Sequence, residues 1–239
     1  MKAQYSISRW SIVMIAVLAS PIATAAEADI AKGEEKSQIC NACHGERGIS
    51  QQDNYPHLHG QQQTYLLRQM HYFRDGGDRR DPIMTPMLEN MSDQDLINLA
   101  AYFSSFKAVL GTGSQATNGD DQPMPTPKIA AKPEKADASV EASTAAVPAL
   151  PAPAVAPSVA GDAAAGKTKS AACAACHGAD GRGTTPLFPN LNGQKPEYLT
   201  VQLKAFRDGK RTDPTMAPMA MALTDQDIAD LAAFYGGLK

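Results

Sequence analysis

The 239-residue chain has little of what usually builds a core unaided: aromatic residues make up 6%, the one tryptophan is Trp10, and no aromatic residue occurs between Phe106 and Phe188. Long apolar runs are also missing. The N-terminal stretch Ile12-Val13-Met14-Ile15-Ala16-Val17-Leu18-Ala19 is well short of the roughly 20 residues of a bilayer span, and no later stretch is long and apolar enough. A formal net charge of −3 is too small to point to nucleic acid. Cysteine is scarce as well. Only four occur, and each belongs to one of two C-x-x-C-H pentapeptides, so none is spare for a disulfide framework.

The pentapeptides are Cys40-Asn41-Ala42-Cys43-His44 and Cys173-Ala174-Ala175-Cys176-His177. On a helix, positions i, i+3 and i+4 share one face, so two thiols and one imidazole converge within a turn. That is the arrangement of a c-type haem attachment site, and two copies predict two covalently bound haem c groups. A thioredoxin-like pair would need β-branched strand residues before the motif, where Ala, Gly, Lys, Glu and Ser stand instead. Zinc would need a fourth ligand, and the candidates are thioethers.

Lys2, Arg9, the apolar run and Ala23-Thr24-Ala25 form the pattern of a secretory signal peptide over residues 1–25, cleaved near Ala25, with a retained anchor as the minority alternative. Export to the periplasm follows. Beyond it the chain is duplicated. A shift of 133 positions lays Gly33 on Gly166, Cys40 on Cys173, Pro56 on Pro189, Gly60 on Gly193 and Phe73-Arg74-Asp75-Gly76 on Phe206-Arg207-Asp208-Gly209. After a one-residue deletion, Asp81-Pro82-Ile83-Met84 falls on Asp213-Pro214-Thr215-Met216. The expected domains are 27–107 and 161–239, of net charge −4 and +1. Residues 108–160, rich in Ala and Pro, read as a disordered linker. Its flexible span of about 40 Å predicts at most a weak, reversible contact between the halves.

Each half reads as all-α. A first helix spans about Ile30–Ile39, or Ala163–Ala172; a middle helix follows Gly60 or Gly193; a last helix starts at the acidic capping box Ser92-x-x-Asp95 or Thr224-x-x-Asp227. The second axial ligand decides the chemistry, because an iron closed on both sides passes electrons while an open one binds small molecules. Methionine is the expected distal ligand, and spacing leaves Met84 tied with Met87 and Met216 with Met219. His57, His59 and His71 occur only in the first half, which argues against bis-histidine ligation. Arg74-Asp75 and Arg207-Asp208 read equally as propionate anchors or as surface ion pairs.

With its paired haem motifs, Tyr55-Pro56-His57-Leu58-His59-Gly60-Gln61 and Phe188-Pro189-Asn190-Leu191-Asn192-Gly193-Gln194, the methionine segments and the capped last helices, the chain resembles the dihaem cytochromes c of the cytochrome c4 family, built from two class I cytochrome c domains. In that family the distal ligand lies eight residues before the capping Ser or Thr. The resemblance therefore implies Cys40, Cys43, Cys173 and Cys176 as haem attachments and His44, Met84, His177 and Met216 as iron ligands. It also implies that the carbonyls of Pro56 and Pro189 accept hydrogen bonds from the ring N–H of His44 and His177. The function it implies is a periplasmic electron carrier with no enzymatic activity, a monomer that takes single electrons from a quinol-oxidising or dehydrogenase complex and passes them to a terminal oxidase. The partners are then redox proteins, membrane-bound respiratory complexes among them. The alternatives are a cytochrome subunit of a larger complex such as a flavin-containing sulfide dehydrogenase, and a dihaem peroxidase, against which a methionine in both halves argues.

Overall fold

The structure, a computed structural model, describes residues 27–106 and 159–239. The segment read as a signal peptide and all of the linker except Val159 and Ala160 lie outside the described residues. Among the described residues every regular element is helical. The first half contains α1 (Ile30–Ser37), α2 (Asn41–His44), α3 (Gln63–Asp75), α4 (Met84–Leu88) and α5 (Asp93–Ser104), and the second repeats them as α6 (Ala163–Lys169), α7 (Ala174–His177), α8 (Pro196–Arg207), α9 (Met216–Ala220) and α10 (Asp225–Gly237).

Local chemistry explains the boundaries. Asp29 caps α1 by accepting from the Lys32 N–H, and Asp162 caps α6 by accepting from Ala164 and Ala165. Both acidic capping boxes form: the Ser92 and Thr224 hydroxyls take the N–H of Asp95 and Asp227, whose carboxylates take the N–H of Ser92 and Thr224. α3 stops at Gly76, which adopts the left-handed conformation at φ 69°. The first helix of each half is shorter than expected, because it tightens into a 3₁₀ turn (Gln38–Cys40 and Ser170–Ala172) that leads into the haem motif.

In each half the first and last helices cross at a glycine. A Cβ on Gly33 would overlap the Asn98 carbonyl, and one on Gly166 the Asp230 carbonyl, so no larger residue permits this approach. Side chains then lock the crossing. In the first half Asn98 Oδ1 accepts from the N–H of Asp29 and from Gln94 Nε2, both at 2.9 Å. In the second half Asp230 takes the same place, accepting from the Asp162 N–H at 2.8 Å and from Lys169 Nζ at 2.6 Å. The Asp162 N–H and the Lys169 ammonium hold its carboxyl down at about 2.

The two halves face each other through a polar seam with reciprocal contacts. Gln194 Oε1 accepts from the N–H of His57 at 2.8 Å and its Nε2 donates to the His57 carbonyl at 3.0 Å. Gln61 does the same to Asn190, at 2.8 and 2.9 Å. Under the sequence repeat Gln61 matches Gln194 and His57 matches Asn190, so the two pairs are related by an approximate two-fold axis. Beside them Arg79 reaches Tyr198 and Gln202, while Arg211 reaches Tyr65 and Gln69. Each guanidinium lies 4.3 Å over a phenylalanine of its own half, Phe73 or Phe206. The weak contact predicted from the linker is thus replaced by specific packing. A tether's reach sets only how often the halves meet, whereas the seam's own hydrogen bonds decide whether they stay together.

Gly33→Ala should lower the unfolding free energy by about 2 kcal/mol through overpacking against α5, measured by denaturant titration of the full chain. Asp230 contributes stability above about pH 4, and this is lost as pH falls from about 4 towards about 2, through its folded value. Asp230→Asn, which mimics Asn98, should therefore show a deficit in Tm at pH 7 that narrows over that window. A deficit independent of pH would contradict the ionised lock.

Candidate haem sites

The 3₁₀ turn and α2 place Cys40, Cys43 and His44 along one short stretch of helix, and the turn before α7 does so for Cys173, Cys176 and His177. All four cysteines are free of disulfides and half-buried. Burial, reinforced by Cys43, pushes the Cys40 thiol up to about 11, and burial raises Cys173 as well. These are not the acidic, electropositive thiols of a dithiol redox centre.

Both histidines are buried, and each ring is anchored as the resemblance implied: Nδ1 lies 3.0 Å from the carbonyl oxygen of Pro56 for His44 and of Pro189 for His177. A carbonyl only accepts, so Nδ1 carries the proton and Nε2 keeps its lone pair. Burial lowers both imidazole pKa values, which favours the neutral form that ligates iron. Tyr55 and Phe188 meet the rings edge-on, at 6.1 and 6.3 Å between centroids.

The methionine segments are one-turn helices. Asp81 Oδ1 accepts from the N–H of Ile83 and Met84, and Asp213 Oδ1 from Thr215 and Met216, so each aspartate caps the turn that carries the sulfur. Pro86 and Pro218 sit at the third position of α4 and α9. Met84 is half-buried against the core of its half, together with Cys40, Leu58 and Met70, and Met216 is half-buried too. Met87 and Met219 are exposed at 36% and 46%, and Met221 at 70%.

Other candidates resolve differently. Arg74 pairs with Asp93 at 2.6 Å and with Asp75, and donates to the Met91 carbonyl; Arg207 repeats this with Asp225, Asp208 and Leu223. These arginines tie the middle helix to the start of the last one, the ion-pair reading of the two. His57 Nδ1 accepts from the Ser50 N–H, and burial, then Lys195, lowers it to about 4. His59 stacks on Phe106 at 4.5 Å, and His71 lies beside Arg74 and Asp75.

Sequence reasoning missed Arg79 and Arg211. Both converge on the seam, and their hydrogen bonds go to the neutral side chains Gln69, Tyr198 and Gln202, and Gln202, Tyr65 and Gln69. Among the described residues neither is within ion-pair distance of a carboxylate. Two cations brought together this way call for an anion. The only signal in the sequence was their recurrence in both halves.

The residues fit a c-type haem. A neutral Nε2, two thiols and a half-buried thioether are the donor set for attachment and two axial bonds. The unpaired guanidiniums suit a group that carries carboxylates. The contiguous buried cluster of the second half holds Leu199, Leu231, Ala232 and Tyr235, with Cys173 of the attachment motif packed against it, so a group attached there adds to a small core.

Comparison with known proteins agrees. The cytochrome c family model matches residues 30–107 and 163–239. A cytochrome c4 of Azotobacter vinelandii is 34% identical over 228 residues, 89% of this chain and 90% of the relative. A thiosulfate dehydrogenase electron acceptor of Thiomonas intermedia is 31% identical over 205 residues, 84% and 79% of the two chains. Among solved structures, reduced recombinant cytochrome c4 from Pseudomonas stutzeri superimposes with a TM-score of 0.63 at 28% identity, covering 89% of this chain and all of the other. Two attachment motifs, two anchored imidazoles and these matches lead to one conclusion: the chain belongs to the cytochrome c family, as a dihaem electron carrier of the cytochrome c4 type with two covalently bound haem c groups.

Proposed function

We propose that the chain is a periplasmic monomer that relays single electrons between redox proteins and catalyses no reaction of its own. Its domains are 27–107 and 161–239, with an export signal at 1–25 and a linker between them. The absence, among the described residues, of any helix long and apolar enough to cross a membrane is compatible with this reading. Cys40 and Cys43 attach one haem and Cys173 and Cys176 the other. His44 with Met84, and His177 with Met216, close the two irons, and Arg79 and Arg211 hold propionates at the seam.

The observation that carries the reading is the repeated imidazole with Nδ1 tied to a proline carbonyl and Nε2 left to ligate, in halves whose methionine turns each bury one sulfur-bearing side chain, Met84 or Met216, more than its exposed neighbour Met87 or Met219. When bound, the haem supplies a ferric/ferrous couple. The protein's part is to fix the imidazole's tautomer and direction, to supply a soft thioether that favours the reduced iron, and to keep water from the metal. An iron closed on both sides suits electron passage and opposes the peroxidase alternative.

Electrons enter from a quinol-oxidising or dehydrogenase complex and leave to a terminal oxidase, with membrane-bound respiratory complexes as partners. The relative named as a thiosulfate dehydrogenase electron acceptor supports a dehydrogenase as donor, and so a second reading in which the chain is the cytochrome partner of a sulfur-oxidising enzyme. Co-purification with a dehydrogenase would separate that reading from a freely diffusing carrier.

Replacing Met84 or Met216 by Ala should remove about half of the near-infrared sulfur-to-iron charge-transfer absorption of the ferric protein and let added imidazole bind that iron, while Met87→Ala and Met219→Ala change neither. The opposite pattern would move the ligand assignment to the exposed pair.

A further inference from the structure

The contacts at the seam fall on the peptide groups that orient the axial histidines. In the first half the Pro56–His57 peptide group offers its carbonyl oxygen to His44 Nδ1 at 3.0 Å and its N–H to Gln194 Oε1, from the other half, at 2.8 Å. In the second half the Pro189–Asn190 peptide group offers its carbonyl to His177 at 3.0 Å and its N–H to Gln61 at 2.8 Å. Both glutamines are buried, at 7% and 6% exposure, and each is pinned further because its Oε1 also accepts the N–H of the next residue, Gln62 or Lys195.

We propose that Gln194 and Gln61 are crossed tuning residues, each setting through one peptide group the electron donation of the axial histidine in the opposite half. The argument rests on the axial ligation proposed above and needs only the behaviour of a polarised amide. When the N–H of a peptide group is hydrogen-bonded, its carbonyl becomes more negative and a better acceptor. A stronger acceptor at Nδ1–H gives the imidazole more imidazolate character, raises its basicity at Nε2 and stabilises ferric over ferrous iron. Each half thereby lowers the potential of its neighbour's haem. The coupling is reciprocal: an oxidised iron makes Nδ1–H more acidic, strengthens the same chain of hydrogen bonds and tightens the seam.

The relay is built for this in ways ordinary interface packing does not require. Each glutamine contacts the backbone rather than a side chain, so the contact survives the replacement of His57 by Asn190 between the halves. The amide also returns a second hydrogen bond, from Nε2 to the carbonyl of the same residue, at 3.0 Å for Gln194 and 2.9 Å for Gln61, which fixes its Oε1 on the N–H.

The test uses the full-length protein with both haems, comparing Gln194→Leu and Gln61→Leu with Gln194→Glu and Gln61→Glu, which keep an acceptor for the N–H. Each haem is followed separately in a redox titration by its own methyl proton resonances. Gln194→Leu should move the first-half haem towards ferrous, changing its ferric-to-ferrous ratio at a fixed applied potential by about threefold or more, with a smaller change at the second haem. Gln61→Leu should give the mirror image, and the Glu variants should return each haem towards ferric. The Nδ1–H resonance of the affected histidine should shift in step. Equal shifts at both haems, shifts on the same side as the substitution, or no shift would overturn the relay. A parent protein without low-spin histidine–methionine spectra would overturn the ligand assignment beneath it, a failure seen before any glutamine is changed.

Discussion

The structure is governed by a shortage of core. Halves of about 80 residues bury a smaller fraction of their surface than larger domains do, and these carry few aromatic residues to compensate. The shortage is largest in the second half, where the contiguous buried cluster has four members. A large planar apolar group attached at α2 and α7 supplies the missing partner, and the other features serve to hold it. The glycine crossings bring the first and last helices together, the aspartate-capped turns fix the segments that carry Met84 and Met216, and the proline carbonyls fix the imidazoles of the attachment motifs.

Two such halves leave a second problem, which is where the charged edge of the group goes. Arg79 and Arg211 are drawn to the seam, where Gln69, Gln202, Tyr65 and Tyr198 hold them without a carboxylate. Guanidiniums held like this favour an anion nearby, which is the ground on which the proposed function gives them the haem carboxylates. The approximate two-fold axis makes the arrangement economical in sequence: the same Gln, Tyr and Arg positions, duplicated, supply both sides of the contact.

Much of this was legible in the sequence. The pentapeptides, the 133-residue repeat and the apolar spacing of α3, α5, α8 and α10 carry covalent and periodic signals that do not depend on tertiary context. The capping boxes at Ser92 and Thr224 and the proline contacts of His44 and His177 likewise fell where expected. The seam did not, because a glutamine or tyrosine that faces another domain has the same composition signature as one that faces water. Gln61 and Gln194 stood inside a quoted motif without a role. The choice between Arg74 and Arg79 was equally hidden: both recur, and only the fold shows that Arg74 is occupied by Asp93 while Arg79 is not paired with acid.

The central claim is that the two haem-binding halves form one body through the polar seam. Backbone ¹⁵N relaxation of the intact, fully reduced protein tests it most directly, because rotational correlation times report whether the halves tumble together regardless of what joins them. The account predicts a single correlation time shared by residues 27–106 and 159–239 and fitting the combined mass, which separates into two shorter ones when Arg79 and Arg211 are both replaced by Met. Two short, independent correlation times in the unaltered protein would contradict it.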